Sequence, residues 1–330
     1  MALNRSGPRG RGAKNKAKHK LSLRQLTNKE PHKKQHQNKH PRRRNPSALP
    51  PDQPPPPTPD TPPTQGIHTQ SGFGASLYEK PTKHLRVFLI QTRQVPLTGG
   101  DDRQAHLNQN LLDYTPDVVL LTEMGVNWHK LGTEAQWSER LATKFPRRKT
   151  RVAMNMHEAT KRSNTAMTLP GGTGITLLNE AVARTQELES DPTNLGRWVS
   201  AKIQGRQGKC VRVVAAYRPT ENKDTTMTTW MQQSRYYRET RQDDRCPRTI
   251  FLEDLKTTIQ PWIDAGDQVI VGIDANEDVR QGATHSMFRS IGMKDAILTK
   301  YRTSPPETYQ RNFQRKPIDA IFVTTGIKIT

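Results

Sequence analysis

Cysteine is scarce in this sequence, which contains only Cys210 and Cys246. Neither belongs to a Cys-x-x-Cys pair, which excludes a cysteine-based zinc site of the usual spacing and a disulfide framework. Proteins that depend on disulfides are found in oxidising compartments, so a reducing compartment is the default expectation for this chain.

Long apolar stretches are also missing. The sequence has no run of 18 apolar residues, so it predicts no membrane-spanning helix. The basic N-terminus is not followed by an apolar segment, as it would be in a secretory signal. We therefore expect an intracellular protein.

Acidic residues are few relative to basic ones. The chain has 31 Asp and Glu against 52 Lys and Arg, a formal net charge of +21, of which residues 1–70 carry +12 and residues 71–330 carry +9. A basic domain with a more basic tail favours a polyanionic partner, most simply nucleic acid. A solvated, charged surface would give residues 71–330 the same composition. No sequence feature indicates an obligate protein partner.

Composition divides the chain into three parts. Residues 1–46 are basic and polar and predict a disordered tail. Residues 47–82 form a proline-rich linker, and residues 83–330 are enough for one large domain. The basic runs Lys14–Lys20 and Arg42–Arg44 can serve nuclear import or nucleic-acid binding, or can simply keep the tail soluble. The first interpretation predicts a nuclear location.

The segment from Val269 to Arg280 is the most informative stretch of the domain. It begins as an apolar β-branched run and ends in acids and an amide, so a buried strand would deliver Asp274 and Asn276 to its C-terminal end. An extended backbone places residues two positions apart on the same face. A carboxylate that activates water, beside an amide that donates to an anionic oxygen, suits attack on a phosphate ester. A strand that merely runs into an acidic turn would have the same sequence.

Other strand ends repeat this arrangement. The apolar run Val118–Leu121 leads to Glu123, and the run Val211–Ala216 leads to Tyr217 and Arg218. Ligands and metals commonly bind where the strands of an α/β sheet end. The alternatives are an exposed acid on a turn and an aromatic side chain that covers the edge of the core.

Four motifs combine a predicted strand with a candidate functional residue: Pro116–Glu123, Tyr217–Pro219, Gly272–Asn276 and Pro317–Asp319. Their order resembles that of the endonuclease/exonuclease/phosphatase superfamily. The resemblance covers roughly residues 85–327 and is most similar to the endonuclease domains of non-LTR retrotransposons. Each motif is weak alone, but four in this order are fairly specific.

The resemblance implies a role for each matching residue. Glu123 would bind Mg²⁺, Asp274 would activate the attacking water, and Tyr217 would contact the scissile phosphate. Asn276 would hold the phosphate, and Asp319 would orient a catalytic histidine. Arg218 is a further candidate for contact with a phosphate oxygen.

The implied fold is α/β, with four layers in which two packed mixed β-sheets are flanked by helices. The chain departs from the family in two places. Thr92 stands where the family has an Asn that supports the metal site. The family's closing Ser-Asp-His element is not found after Asp319. The domain is therefore expected to lack its last strand, as a truncated copy would, and to expose a sheet edge.

The implied activity is hydrolysis of a phosphodiester, expected to be DNA, with Mg²⁺ or Mn²⁺ as cofactor. Loss of a general acid or base typically costs ~10²–10⁴-fold in rate, so the departures leave open whether the chain is active. One alternative is a non-catalytic, nucleic-acid-binding relic of such a domain. The other is a phosphatase that acts on inositol phosphates or phospholipid headgroups.

Overall fold

A computed structural model describes residues 80, 83–95, 102–156, 166–205, 208–224, 227–302, 306–311 and 314–330. All of them belong to the unit formed by residues 69–330. The predicted tail of residues 1–46 lies outside the described residues, as does the predicted linker of residues 47–82 apart from Lys80. The division of the chain into tail, linker and domain therefore stays a prediction.

The first sheet has four strands: β1 (Val87–Gln91), β2 (Val118–Thr122), β3 (Thr150–Asn155) and β4 (Thr173–Leu178). Their order is β1-β2-β4-β3, with β1 and β2 parallel and the other pairs antiparallel. Because β1 and β2 are parallel, Gln91 pairs with Thr122 and both strands end at the same edge. The residues that follow these strands are thereby brought together.

The second sheet has six strands: β5 (Thr185–Ser190), β6 (Trp198–Gln204), β7 (Cys210–Tyr217), β8 (Gln268–Asp274), β9 (Met293–Asp295) and β12 (Asp319–Thr324). Their order is β5-β6-β7-β8-β12-β9, and only the β7–β8 pair is parallel. Strands β6 and β7 are consecutive in the chain and pair antiparallel from Trp198 with Ala216 to Gln204 with Cys210. Two short strands, β10 (Tyr309–Arg311) and β11 (Gln314–Lys316), form a separate antiparallel ribbon.

Seven α-helices complete the described part of the chain: α1 (Asp102–Tyr114), α2 (Trp137–Lys144), α3 (Glu180–Ala183), α4 (Thr229–Arg241), α5 (Pro247–Asp264), α6 (Ala283–Ser290) and α7 (Ala296–Tyr301). Helix α4 begins at Thr229 because Thr228 caps it, its hydroxyl accepting from the Met231 backbone N–H at 3.2 Å. Among the described residues, no helix is both long and apolar enough to cross a membrane.

The two sheets pack face to face. Alternate residues of β2 and β4, such as Leu120 and Leu177, contact Val213 of β7 and Ile270 of β8 in one buried cluster. Gly272 lies at the closest approach, since a Cβ atom there would meet Leu120 Cδ1 at 2.5 Å. A side chain at position 272 would therefore push apart the two strands that carry the candidate site residues.

Helices cover the outer faces of both sheets. Val119 and Leu121 of β2 share a cluster with Leu111 of α1 and Leu141 of α2. On the second sheet, the corresponding cluster contains residues of β8 and α5: Val271, Ile273, Phe251 and Leu255. The layers therefore run helix, sheet, sheet, helix, which confirms the predicted four-layered α/β fold.

Strand β1 is one edge of the first sheet. Among the described residues, its one neighbouring strand is β2, and all five residues of β1 are half-buried. Strand β12, which carries Asp319, pairs with β8 along Asp319–Val323 and with β9 at Phe322–Thr324. Among the described residues, the start of β12 and its Asp319 are therefore paired with β8 alone.

Candidate active site

Four of the predicted site residues occupy the ends of neighbouring strands. In the second sheet, Asp274 is the last residue of β8 and pairs with Tyr217 of β7 on one side and with Asp319 of β12 on the other. Glu123 follows β2 of the first sheet, with a left-handed backbone (φ 52°) that turns the chain immediately after the strand. The structure therefore brings these residues together at one edge of the sandwich, as predicted.

Gln91 links the two sheets at this edge. Its side-chain Nε2 donates to Glu123 Oε2 at 3.0 Å and to Asp274 Oδ2 at 2.8 Å. An amide nitrogen carries two hydrogens, so both bonds can form at once. Sequence reasoning missed Gln91, although its place at the end of the first core strand was a usable signal.

Thr92 does not support the site in the expected way. Its hydroxyl lies 2.9 Å from the backbone carbonyl oxygens of both Thr122 and Glu123, to which it can donate. The side chain therefore fixes the turn after β2, and the contact with the carboxylates comes from the preceding residue, Gln91.

The carboxylates form a mutually repulsive group, in which Glu123 and Asp319 are half-buried. Asp274 is fully buried, and its pKa is raised well above the usual value by burial, by Asp319 and by Glu123. Burial raises the pKa of Asp319 to about 6, and Glu123 adds to this, while a hydrogen bond from Thr308 and the charge of Arg93 act in the opposite direction. Both carboxyl groups therefore hold protons more readily than exposed aspartates do.

Tyr217 keeps its phenolic proton in this environment. Burial, followed by the charges of Glu123 and Asp274, raises its pKa well above the usual value. The ring packs against Gly171, where a Cβ atom would lie 3.2 Å from Tyr217 Cε1. A neutral phenol held beside two carboxylates is a hydrogen-bond donor at any physiological pH.

The donor set fits a hard divalent cation. Asp319 Oδ1 is buried and has no hydrogen-bond partner among the described atoms, which is costly for a carboxylate oxygen unless a cation satisfies it. In the described ranges, no group of three or more His, Cys, Asp or Glu side chains is placed to hold a metal ion, so an ion here would have at most two such ligands. Mg²⁺ suits such an open arrangement, since it usually takes one or two carboxylates and fills its other positions with water and phosphate oxygens.

Asn276 is fixed by the loop that follows β8. Its backbone N–H donates to Asp274 Oδ1 at 3.2 Å, and its side-chain Nδ2 donates to the carbonyl oxygen of Arg218 at 2.8 Å. The backbone is left-handed at this position (φ 49°), which Asn tolerates better than most residues. The loop thus holds the amide next to Asp274.

Arg218 does not fit the predicted contact with a phosphate. Its side chain is buried and only 5% exposed, and Nη1 lies 2.7 Å from Glu277 Oε2. The same carboxylate lies 3.3 Å from Arg248 Nη2 and accepts from the backbone N–H of Thr284 at 2.7 Å. Arg218 and Glu277 therefore brace the loop that carries Asn276. Glu277 was not singled out from the sequence, although it lies in the acidic turn.

A cavity of about 560 Å³ opens beside Glu123. Glu123, Tyr217 and Arg93 line it, and Leu169 and Met227 supply apolar surface. Glu123 and the ring of Tyr217 therefore border a space that is open to solvent, while Asp274 lies buried behind them.

No protein-family model matches the chain, and no curated protein sequence matches it. Solved structures share its fold class at low identity. They include the human Nocturnin catalytic domain with bound sulfate anion (14% identity, TM-score 0.49, covering 73% of this chain and 82% of that one). An AP endonuclease from Archaeoglobus fulgidus gives 15% identity, a TM-score of 0.48 and coverage of 73% and 87%. An endonuclease/exonuclease/phosphatase family protein from Leptotrichia buccalis gives 11% identity and a TM-score of 0.45, and the match covers 74% of this chain and 89% of that one.

Proposed function

We propose that this chain is a Mg²⁺- or Mn²⁺-dependent phosphodiesterase that cleaves nucleic acid. The observation that carries the proposal is the pairing of Asp274 with Tyr217 on one side and Asp319 on the other, with Gln91 joining Asp274 to Glu123. These contacts support the assignment of a base, a neutral donor and oxygen ligands for a cation to one edge of the sandwich. The formal charge of +21 supports a polyanionic substrate.

Glu123 and Asp319 are the proposed ligands of the ion, because Glu123 faces the cavity and Asp319 has an unsatisfied oxygen. When bound, the ion would offset the negative charge of the phosphate. Gln91 would keep Glu123 and Asp274 in a fixed relation to each other.

Asp274 is the proposed general base. A carboxylate with a raised pKa is a stronger base than an ordinary aspartate, which brings it closer to the pH at which the reaction runs. It would take a proton from the attacking water. Tyr217 and the second amide hydrogen of Asn276 would donate to the phosphoryl oxygens, where negative charge develops.

DNA as the substrate, and endonucleolytic cleavage of the non-LTR retrotransposon type, are supported by the sequence motifs and the charge. A nuclear location stays a prediction from the basic runs of the tail. The charge also favours a second function, binding of nucleic acid without cleavage.

The substrate class can be tested with purified protein and three substrates: a labelled DNA duplex, a soluble inositol phosphate and vesicles that contain phosphoinositides. We expect metal-dependent product from the duplex alone. Product from an inositol phosphate would identify a phosphatase. Duplex binding that persists in EDTA, weakens steeply with salt and yields no product would identify a binding protein.

A further inference from the structure

Negative charge is concentrated at the candidate site before any substrate arrives. Glu123, Asp274 and Asp319 converge there, and a phosphodiester adds another negative charge. Repulsion between like charges at close range opposes binding unless cationic groups offset it. A protein cation beside the carboxylates would therefore serve both binding and catalysis.

Arg93 is positioned to supply that cation. Among the described residues that line the cavity beside Glu123 and Tyr217, it is the one with a cationic side chain. Its side chain is exposed, so the guanidinium can be reached by a ligand in the cavity. A guanidinium presents a planar fork of N–H donors that matches two oxygens of a phosphate.

The backbone at Arg93 is tied to the turn that carries Glu123. Arg93 and the following Gln94 both have left-handed backbones, with φ of 45° and 73°, a conformation that L-residues with side chains seldom adopt. The bend is held by backbone hydrogen bonds, from Gln94 N–H to the Glu123 carbonyl at 2.7 Å and from Val95 N–H to the Met124 carbonyl at 2.8 Å. Strained backbone of this kind persists where neighbouring contacts enforce it, often at functional sites.

Arg93 shares the cavity with Glu123 and Tyr217. The bend that carries it is tied to the turn of Glu123 by the backbone hydrogen bonds of Gln94 and Val95. Its positive charge also acts on the carboxyl group of Asp319. The guanidinium is therefore associated with the same edge of the sandwich as the candidate site residues.

We propose that Arg93 is a catalytic residue whose guanidinium binds the scissile phosphate and stabilises the charge that develops on its non-bridging oxygens. In the step, the water oxygen forms a bond to phosphorus while one P–O ester bond breaks. Asp274 takes the proton of the water, and the leaving oxygen takes a proton from solvent. Arg93 contributes charge and no proton, since a guanidinium does not deprotonate in proteins. This inference rests on the proposed phosphodiesterase function.

The test compares the full chain with its Arg93→Ala and Arg93→Lys variants, and with Arg289→Ala as a control at an exposed arginine of α6. Cleavage of a labelled DNA duplex is measured in Mg²⁺, with and without guanidinium ion at concentrations that leave the fold intact. We expect Arg93→Ala to lower kcat by ~10²–10³-fold, as removal of one transition-state donor does. We also expect Arg93→Lys to retain part of the lost activity, and added guanidinium ion to restore part of it to Arg93→Ala. Guanidinium ion should have no effect on cleavage by Arg289→Ala.

The outcomes separate this inference from the function on which it rests. Wild-type cleavage with an unchanged Arg93→Ala variant would overturn the role of Arg93 and leave the phosphodiesterase function standing. A loss of cleavage that neither the lysine substitution nor guanidinium ion restores would mean that Arg93 only maintains the structure of the bend. That result would also overturn the inference. A folded wild-type chain that does not cleave would overturn both.

Discussion

Asp274 and Asp319 lie directly opposite each other across the antiparallel ladder of β8 and β12. Like charges at opposed positions of a sheet destabilise it, and here Asp274 is fully buried and Asp319 is half-buried. The fold therefore tolerates an unfavourable pair at the edge where a cation is proposed to bind. Function and stability are expected to oppose each other at this position.

The first prediction concerns stability without metal. Asp319 has a folded-state pKa of about 6, above its ordinary value of 3.8. Between these two values the folded state binds more protons, so the stability of the metal-free protein should fall as the pH rises from 4 to 7. We expect Asp319→Asn to remove the part of this dependence that comes from Asp319 and to be more stable at pH 8 by on the order of 1–3 kcal/mol. Denaturant unfolding in EDTA at several pH values would measure the stability of the wild type and of this variant.

The control for this prediction is Asp278→Asn. The pKa of Asp278 is lowered, chiefly by its hydrogen bond with Arg280, so its charge is favourable in the folded state. Its substitution should give no gain in stability at pH 8. If Asp319→Asn also gave no gain, the account of a repulsive carboxylate pair would be wrong.

The second prediction separates Gln91 from Thr92. Gln91→Leu removes the donor shared by Glu123 and Asp274, whereas Thr92→Val removes a hydroxyl that reaches only backbone carbonyls. Loss of a supporting contact to metal ligands typically costs ~10–100-fold in affinity or activity. We expect Gln91→Leu to show that loss in the Mg²⁺ dependence of cleavage and Thr92→Val to show less. The reverse order would restore the original assignment to Thr92.

The third prediction concerns a buried ion pair away from the site. Asp191 and Arg197 are almost fully buried, with Arg197 Nε 2.7 Å from Asp191 Oδ2. Burial would raise the pKa of Asp191, but the hydrogen bonds and charge of Arg197, with hydrogen bonds from Thr193, lower it overall. The pair therefore contributes stability that is present above the ordinary pKa of an aspartate and is lost as the pH falls through the lowered value.

Asp191→Asn should therefore destabilise the protein at pH 7 by about 3 kcal/mol, the lower end for a broken buried pair, because Asp254 still contacts Arg197. The loss should shrink as the pH falls below 4. Denaturant unfolding at pH 7 and below pH 4 measures the loss of stability. The control is Asp244→Asn, which breaks an exposed ion pair with Arg238. Equal effects of the two substitutions would contradict the account.

Much of the fold and the position of the site could be predicted from the sequence. Buried central strands such as β2 and β8 are apolar runs, and acids at their ends are visible without a structure. The short edge strand β9 and the polar strand β5 were missed, since neither carries an apolar run. Helix α5 begins at Pro247, because proline is well suited to the first turn of a helix.

Individual side chains were harder to predict than the edge that carries them. The choice between Gln91 and Thr92 depends on the face each presents, and a shift of one residue along a strand exchanges the faces. Arginine is rarely buried unless paired, so the burial of Arg218 becomes evident only once its contact with Glu277 is seen. Contacts between residues distant in sequence are what a single sequence does not reveal.

The central claim is tested most directly by nicking of supercoiled plasmid DNA, in Mg²⁺ and in EDTA, by the wild-type chain and by Asp274→Asn, with Asp278→Asn as the matched control. The account predicts nicking by the wild type that EDTA abolishes, a rate ~10²–10⁴-fold lower for Asp274→Asn, and an unchanged rate for Asp278→Asn. Nicking that persists in EDTA or in Asp274→Asn would contradict it, as would a folded wild-type chain that binds the plasmid and does not cut it.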